Sequence, residues 1–350
     1  MRSTPVRPAM DRKALEATAR QLVADNKGIL AADESTSTIG KRFQSISVEN
    51  NEANRRDYRH MLFTTPDLGK GVSGAILYDE TLRQKAADGT PLTQILVKQG
   101  IVPGIKVDTG AKELAMHPGE KVTEGLDGLR ERLAEYHKLG ARFAKWRAVI
   151  TIGRNETGPM PSYSCIAVNA HALARYAALC QEANIVPIVE PEVLMDGDHD
   201  IDACERATRW AWMLTFEQLA IQRVHFPGVL LKPSMIVSGK DAKDRASRDE
   251  VARRTVAGLR DCVPASVPGI VFLSGGQSPE EATDHLRIMN TLGPHPWKLS
   301  FSYGRALQDP ALKAWAGRPG NVKAGQAALL KMAKANSAAT AGKTLAEITV

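Results

Sequence analysis

Eight short apolar runs, each followed by a loop and a stretch of helical periodicity, are what most limits how this chain can fold. The runs are GILAA (28–32), SGAILY (73–78), IVPGIKV (101–107), RFAKW (142–146), IVPIVE (185–190), GVLLK (228–232), GIVFLS (269–274) and WKLSFS (297–302). They show little alternation of apolar and polar residues, which is the mark of strands in a parallel sheet covered on both faces by crossover helices. Between them lie amphipathic segments at 11–25, 48–63, 124–140, 168–183, 207–223, 249–262, 279–292 and 322–336. In the third, Leu126, Leu129, Leu133, Tyr136 and Leu139 recur at three- and four-residue spacing, with Gly140 placed to supply a left-handed cap.

The first and last runs begin at 28 and 297, which gives about 38 residues per unit. About 250 residues shared over eight units would give roughly 30, so the excess predicts insertions. An open doubly wound sheet would carry a glycine fingerprint after its first strand, whereas GILAAD is followed by ESTSTIG. The pattern therefore predicts a closed (β/α)8 TIM barrel with an extra N-terminal helix and a C-terminal helical region. It reads as a single catalytic domain over 1–350, with the barrel at about 28–336 and a tail at about 337–350.

Composition narrows the class further. Forty-six Lys and Arg against 39 Asp and Glu leave a formal charge of +7, but the basic residues are dispersed and no nucleic-acid reading motif accompanies them. No stretch approaches a membrane span, and the N-terminal MRSTPVRPAM lacks the apolar centre of a signal peptide. Cys165, Cys180, Cys204 and Cys262 have no paired spacing and read as thiols in a reducing compartment. These features predict a soluble, cytoplasmic protein with no nucleic-acid or membrane partner.

Parallel barrels carry their chemistry at the C-terminal ends of the strands. Here those ends offer Asp33, Tyr78 with Asp79, Lys106, Lys145 with Arg147, Glu190 with Glu192, Lys232, Ser274 and Arg305, in strand order. A single charge at a strand end is ordinary solvation. Eight converging on one axis need partners or a substrate. Lys232 closes an apolar run behind Pro233, so desolvation and a second cation such as Lys145 are expected to lower its pKa and make it a nucleophile. The plainer alternative is a core ion pair with Glu190 or Glu192. Those two carboxylates flank Pro191 on one side of an extended chain, an arrangement expected to raise the pKa of one of them.

Two anion cradles can be argued. In Ser274-Gly275-Gly276-Gln277-Ser278, backbone N–H groups can face a phosphate, and Ser278, Pro279 and Glu281 read as the start of a capped helix. Ser302, Gly304 and Arg305 follow the eighth run and strengthen this cradle, because loops seven and eight of such barrels commonly hold phosphate. A second would combine Ser35, Thr38, Lys106 and Arg147, with Arg42 nearby; Ser35 and Thr38 could equally be caps of a following helix. The acidic loop 196–200 lacks a calcium pattern and reads as a helix start. The eight histidines include no HExxH, so no metal site is predicted.

At this point LAADESTSTIGKR (30–42), GIKVD (104–108), FAKWR (143–147), IVPIVEPEVLMDGDHD (185–200), LLKPSMI (230–236), FLSGGQS (272–278) and FSYGRALQ (301–308) together resemble class I, Schiff-base fructose-bisphosphate aldolase. The motifs run in family order from about residue 10 to 336. The resemblance implies reversible cleavage of fructose 1,6-bisphosphate to dihydroxyacetone phosphate and glyceraldehyde 3-phosphate, with no metal cofactor, in a homotetramer. It implies an imine at Lys232, a proton shuttle at Glu190 with Glu192 beside it, a base at Asp33 for the C4 hydroxyl, and a donor at Lys145. Ser274, Gly275, Gly304 and Arg305 would hold the ketose-end phosphate, and Ser35, Thr38, Lys106 and Arg147 the other.

Three departures stand out. Ser234 replaces a common Asn, Thr38 replaces a usual Ser, and the chain ends AGKTLAEITV without the terminal tyrosine many members carry. A Schiff-base lyase for another phosphorylated sugar, a metal-dependent aldolase and a noncatalytic polyanion-binding scaffold are the alternatives.

Overall fold

The structure, a computed structural model, describes residues 10–348; MRSTPVRPA and the last two residues of the tail lie outside the described residues. Eight parallel strands close into a barrel in sequential order: β1 (Gly28–Ala32), β2 (Val72–Leu77), β3 (Val102–Lys106), β4 (Phe143–Ile150), β5 (Val186–Val193), β6 (Leu230–Leu231), β7 (Gly269–Phe272) and β8 (Lys298–Tyr303). β8 returns to β1 with Leu30 opposite Tyr303. Every residue of β1, β2, β5, β6 and β7 is buried, as strands covered by helices outside and by side chains inside must be.

Two strands run past the ends of their apolar runs. β4 continues to Ile150 and β5 to Val193, with Arg147 opposite Glu190 and Val149 opposite Glu192 in register. A charged residue ends an apolar run in sequence, but it does not end a strand when the facing strand supplies the opposite charge. β6 is correspondingly short. Lys232 still donates its N–H to Val189 O at 2.8 Å, and then Pro233, with no N–H to give, stops the pairing.

The helix Arg12–Leu22 sends Leu15, Ala19 and Leu22 into an inner apolar cluster with Ile29, Ile76, Phe143, Val186, Ile188, Leu230 and Val271. Phe143 spans this floor so closely that a Cβ on Gly104 would lie 2.3 Å from its ring. The floor seals the barrel at the N-terminal ends of the strands, leaving the opposite end for polar residues.

The long outer helices are Tyr163–Glu182, Ile201–Ile221, Arg248–Cys262, Pro279–Thr291 and Val322–Thr340. The first two begin several residues before their apolar periodicity does, at N-caps Ser162 and Asp200. Asp200 accepts from Ala203 N at 2.7 Å and Asp196 pairs with Lys240, so the acidic loop is indeed a helix start. Ser278 and Glu281 form the anticipated capping box, and Gly140 follows the helix Leu129–Lys138 at φ +102°. The insertions hold helices that the apolar periodicity does not show, including Thr36–Gln44, Leu92–Lys98 and Arg305–Trp315, and two hairpins, Gly110–Glu113 with Lys121–Glu124 and Gly153–Asn155 with Gly158–Met160. Among the described residues no helix is long and apolar enough to cross a membrane.

Candidate active site

A cavity of about 920 Å³ opens at the C-terminal ends of the strands. Its base holds alternating charges. Lys232 Nζ lies 3.1 Å from Glu190 Oε1; the other oxygen of Glu190 lies 3.3 Å from Lys145 Nζ, which in turn lies 2.7 Å from Asp33 Oδ2. Lys232, Lys145 and Glu190 are each less than 5% exposed. Strand geometry produces the arrangement: Lys145 and Arg147 share one face of β4, Glu190 and Glu192 share one face of β5, and each cation reaches the acid two residues beyond its register partner. The ion pair at Lys232 that the sequence offered as a structural alternative is therefore present, but it is built against an open cavity.

The expectation that Glu190 and Glu192 would push one pKa upward is corrected by their partners. Burial does press the Glu190 carboxyl upward, but the Lys145, Lys232 and Arg147 charges outweigh it and hold the group below its usual range. Glu192 instead pairs with Arg147, whose pKa rises because Glu192 overcomes the effect of burial. Asp33 is held down in the same way: burial opposes ionisation, and Lys145 with Lys232 overrides it. Burial alone would strip the proton from Lys145, yet Asp33, Glu190 and Asp108 raise its pKa, so it remains an ammonium.

This network sets a pH dependence. Carboxylates with depressed folded pKa values contribute stability that is complete above their unfolded values of about 4 and is lost as pH falls through the folded ones. Lys145→Met removes the cation that Asp33 and Glu190 share and is expected to cost about 3–5 kcal/mol at pH 7. The gap in melting temperature from the parent should narrow as pH is lowered through the carboxylate range. A gap independent of pH would show that Lys145 does not hold Asp33 and Glu190 ionised.

Of the residues singled out in the sequence, Asp33, Ser35, Thr38, Arg42, Lys106, Lys145, Arg147, Glu190, Glu192, Lys232, Ser274, Gly275, Ser302, Gly304 and Arg305 all line this cavity. Gly276 does not. It turns the loop away at φ +77° and packs against Met195, where a Cβ would lie 3.2 Å from the sulfur. Asp79 also stays out, paired with Arg83 one helical turn on. Arg42 belongs to the other side of the cavity from the one expected: it pairs with Glu34 at 2.7 Å, and its Nη2 would lie 3.6 Å from a Cβ on Gly304.

The two cradles differ in how free their charges are. Arg305 makes no ion pair within 4 Å among the described residues, and it begins the helix Arg305–Trp315, whose N-cap Gly304 supplies no side-chain cap. Ser302 Oγ is buried there without a hydrogen-bond partner. Gly275 has no room for a Cβ, which would lie 2.7 Å from Leu273 Cδ1 and 3.1 Å from Glu192 Oε1. On the other side Ser35 caps the helix Thr36–Gln44, with its Oγ 3.0 Å from Thr38 Oγ1, while Lys106 Nζ sits 2.6 Å from Asp108 Oδ1. The cap and the cradle are the same hydroxyls.

A family model described as fructose-bisphosphate aldolase class-I matches residues 14–349. The chain belongs to the class-I fructose-bisphosphate aldolase family. A probable class 1 fructose-bisphosphate aldolase of Xanthomonas campestris is 56% identical over 94% of this chain and 98% of its own length. Fructose-bisphosphate aldolase 1 of Toxoplasma gondii is 52% identical over 95% of this chain and 91% of its own. The solved fructose-bisphosphate aldolase of Plasmodium falciparum, crystallised with TRAP and a small-molecule inhibitor, superposes with a TM-score of 0.93 at 48% identity, covering 96% of this chain and 97% of that one. This class I family is the Schiff-base type, and among the described residues no group of three His, Cys, Asp or Glu is placed to hold a metal ion.

The aldolase cavity also contains residues that sequence reasoning passed over. Asp108 ties the second cradle together by accepting from Lys106 Nζ, Gly110 N and Arg147 N. Its signal was present: it stands two residues past Lys106, where the extended chain returns to the same face. Glu34 receives Arg42, Arg59 and Gln308. Lys41 and Lys313 line the rim from helices distant in sequence; Lys41 stands within LAADESTSTIGKR without having been singled out, and nothing in the sequence marks Lys313. In all, eight Lys and Arg face six Asp and Glu around the cavity, an excess of positive charge suited to an anionic ligand.

Proposed function

We propose that this chain catalyses the reversible aldol cleavage of fructose 1,6-bisphosphate through an imine on Lys232. The observation that carries the reading is Lys232 Nζ, buried at the base of the cavity, 3.1 Å from an ionised carboxylate. To attack the ketose carbonyl at C2, the lysine must give up a proton, and Glu190 is the acceptor within reach. After C–N bond formation Glu190 returns a proton to the carbinolamine hydroxyl, which leaves as water. The protonated imine then draws the C3–C4 bonding electrons toward nitrogen as Asp33 takes the C4 hydroxyl proton, releasing the aldehyde.

Asp33 becomes a better base as this happens. Lys232 is one of the cations that depress its pKa, and the positive charge on that nitrogen vanishes as the imine becomes an enamine. Lys145 remains charged throughout and supports the developing oxyanion. Arg305, the open helix N-terminus, Ser274 and Gly275 suit the ketose phosphate, and Ser35, Thr38, Lys106 and Arg147 suit the other.

The imine itself serves as the electron sink, so no metal is required. Incubation with dihydroxyacetone phosphate followed by borohydride should add one reduced adduct, mapped by mass to Lys232, at equal yield with and without a chelator. No adduct, or a label on another lysine, would sink the reading. Assembly as a homotetramer is supported by exposed Tyr163, Val168 and Met213 on two adjacent helices. Free thiols at all four cysteines fit a reducing, cytoplasmic location.

A further inference from the structure

The helix Pro279–Thr291 buries Ala282, His285, Leu286 and Met289 on one face. Spacing of three and four makes this a core stripe, and at its second position an apolar residue would be expected. A histidine there, 3% exposed, is the kind of buried polar group that calls for a reason. Its Nδ1 lies 2.7 Å from Oε1 of Gln277, itself buried. Gln277 belongs to the loop after β7, where its own N–H donates to Ser274 O at 2.9 Å and closes the turn that presents Ser274 and Gly275 to the cavity.

We propose that His285 is a positioning residue for the ketose-phosphate cradle: by donating to Gln277 it fixes the loop carrying Ser274 and Gly275, and so sets affinity for the phosphate without touching it. The inference rests on the proposed function, which gives that loop its ligand.

The loop is held from two sides. Met195 backs Gly276, and His285 anchors the next residue, so the intervening turn has little freedom. Behind the histidine lies a small separate cavity of about 210 Å³, so the ring is not wedged in place by packing alone. The groups facing it are Glu281 and Asp284 on its own helix and Arg245 and Arg248 from the neighbouring segment. Burial, the largest effect, pushes its pKa down to about 4, so the ring is neutral at working pH and has a single N–H. With Gln277 presenting its carbonyl oxygen, that proton is on Nδ1.

The test uses two replacements of His285 and one of Gln277. Asn places an amide nitrogen where His carries Nδ1, so His285→Asn keeps the donor, while His285→Leu keeps bulk and removes it. His285→Leu is expected to raise KM for fructose 1,6-bisphosphate, and the inhibition constant of inorganic phosphate, about tenfold or more with kcat little changed. His285→Asn should stay within a few-fold of the parent. Gln277→Leu breaks the same bond from the loop side, serves if His285→Leu does not fold, and should add nothing in the double variant. Unchanged KM, parallel loss of kcat and melting temperature, or no rescue by Asn would overturn the proposal. Borohydride labelling of the parent at Lys232, measured on the same preparations, separates failure of this inference from failure of the functional reading.

Discussion

Lys232→Arg is expected to fold, to keep a cation beside Glu190, and to lose aldol turnover by about four orders of magnitude or more, the scale seen when a covalent nucleophile is removed. Arginine preserves what an ion pair alone needs, since it can still donate to the carboxylate 3.1 Å away. It cannot form the imine, because its guanidinium stays protonated. The replacement therefore separates the two readings that the sequence left open at this position. If Lys232 is only half of a core salt bridge, Arg should leave turnover largely intact. Loss of turnover, loss of borohydride labelling and a near-parental melting curve together would assign the lysine to chemistry.

Glu190→Gln should lower turnover by roughly 10²–10⁴-fold, the range for a positioned acid–base group. Glutamine fills the same space but cannot take a proton from Lys232 or return one to the carbinolamine. Glu190 also stands between two lysine side chains, at 3.1 Å and 3.3 Å, so its neutral replacement leaves Lys145 with Asp33 alone and Lys232 with no carboxylate in contact among the described residues. Some stability is lost too. Kinetics distinguish this from simple weakening: the rate of borohydride trapping, which reports imine formation, should fall together with kcat in the variant. Glu192→Gln is the control, because Glu192 pairs with Arg147 on the rim side, and its effect should be the smaller. Equal losses in the two variants, or trapping at the parental rate in Glu190→Gln, would remove Glu190 from the proton path.

The two halves of the charged base were legible to different degrees. Lys232, Glu190, Lys145 and Asp33 stand at strand ends, and a sequentially wound barrel brings strand ends together, so the sequence already implied that they meet. The sequence also led to the expectation that Glu190 and Glu192 would raise the pKa of one of them, whereas the cations around Glu190 hold it down. Spacing of two put them on one face, but distribution among partners separated them, Glu190 to the two lysines and Glu192 to Arg147. Arg42 shows the same limit. Its place in LAADESTSTIGKR put it beside Ser35 and Thr38 in sequence, yet one helical turn and the pull of Glu34 carry it to Gly304.

By itself the sequence determined the eight strands, their parallel arrangement, the end of the barrel that carries the chemistry and most of the residues gathered there. It could do so because those properties follow from local periodicity and from one rule of barrel geometry. Tertiary structure alone decided which acid neutralises which cation, that Gly276 turns away while Gly275 faces Glu192, that Lys41 and Lys313 complete the rim, and that His285 holds Gln277. Each of these depends on distances of a few ångströms between side chains far apart in the chain, and Coulomb and hydrogen-bond energies are set at that range.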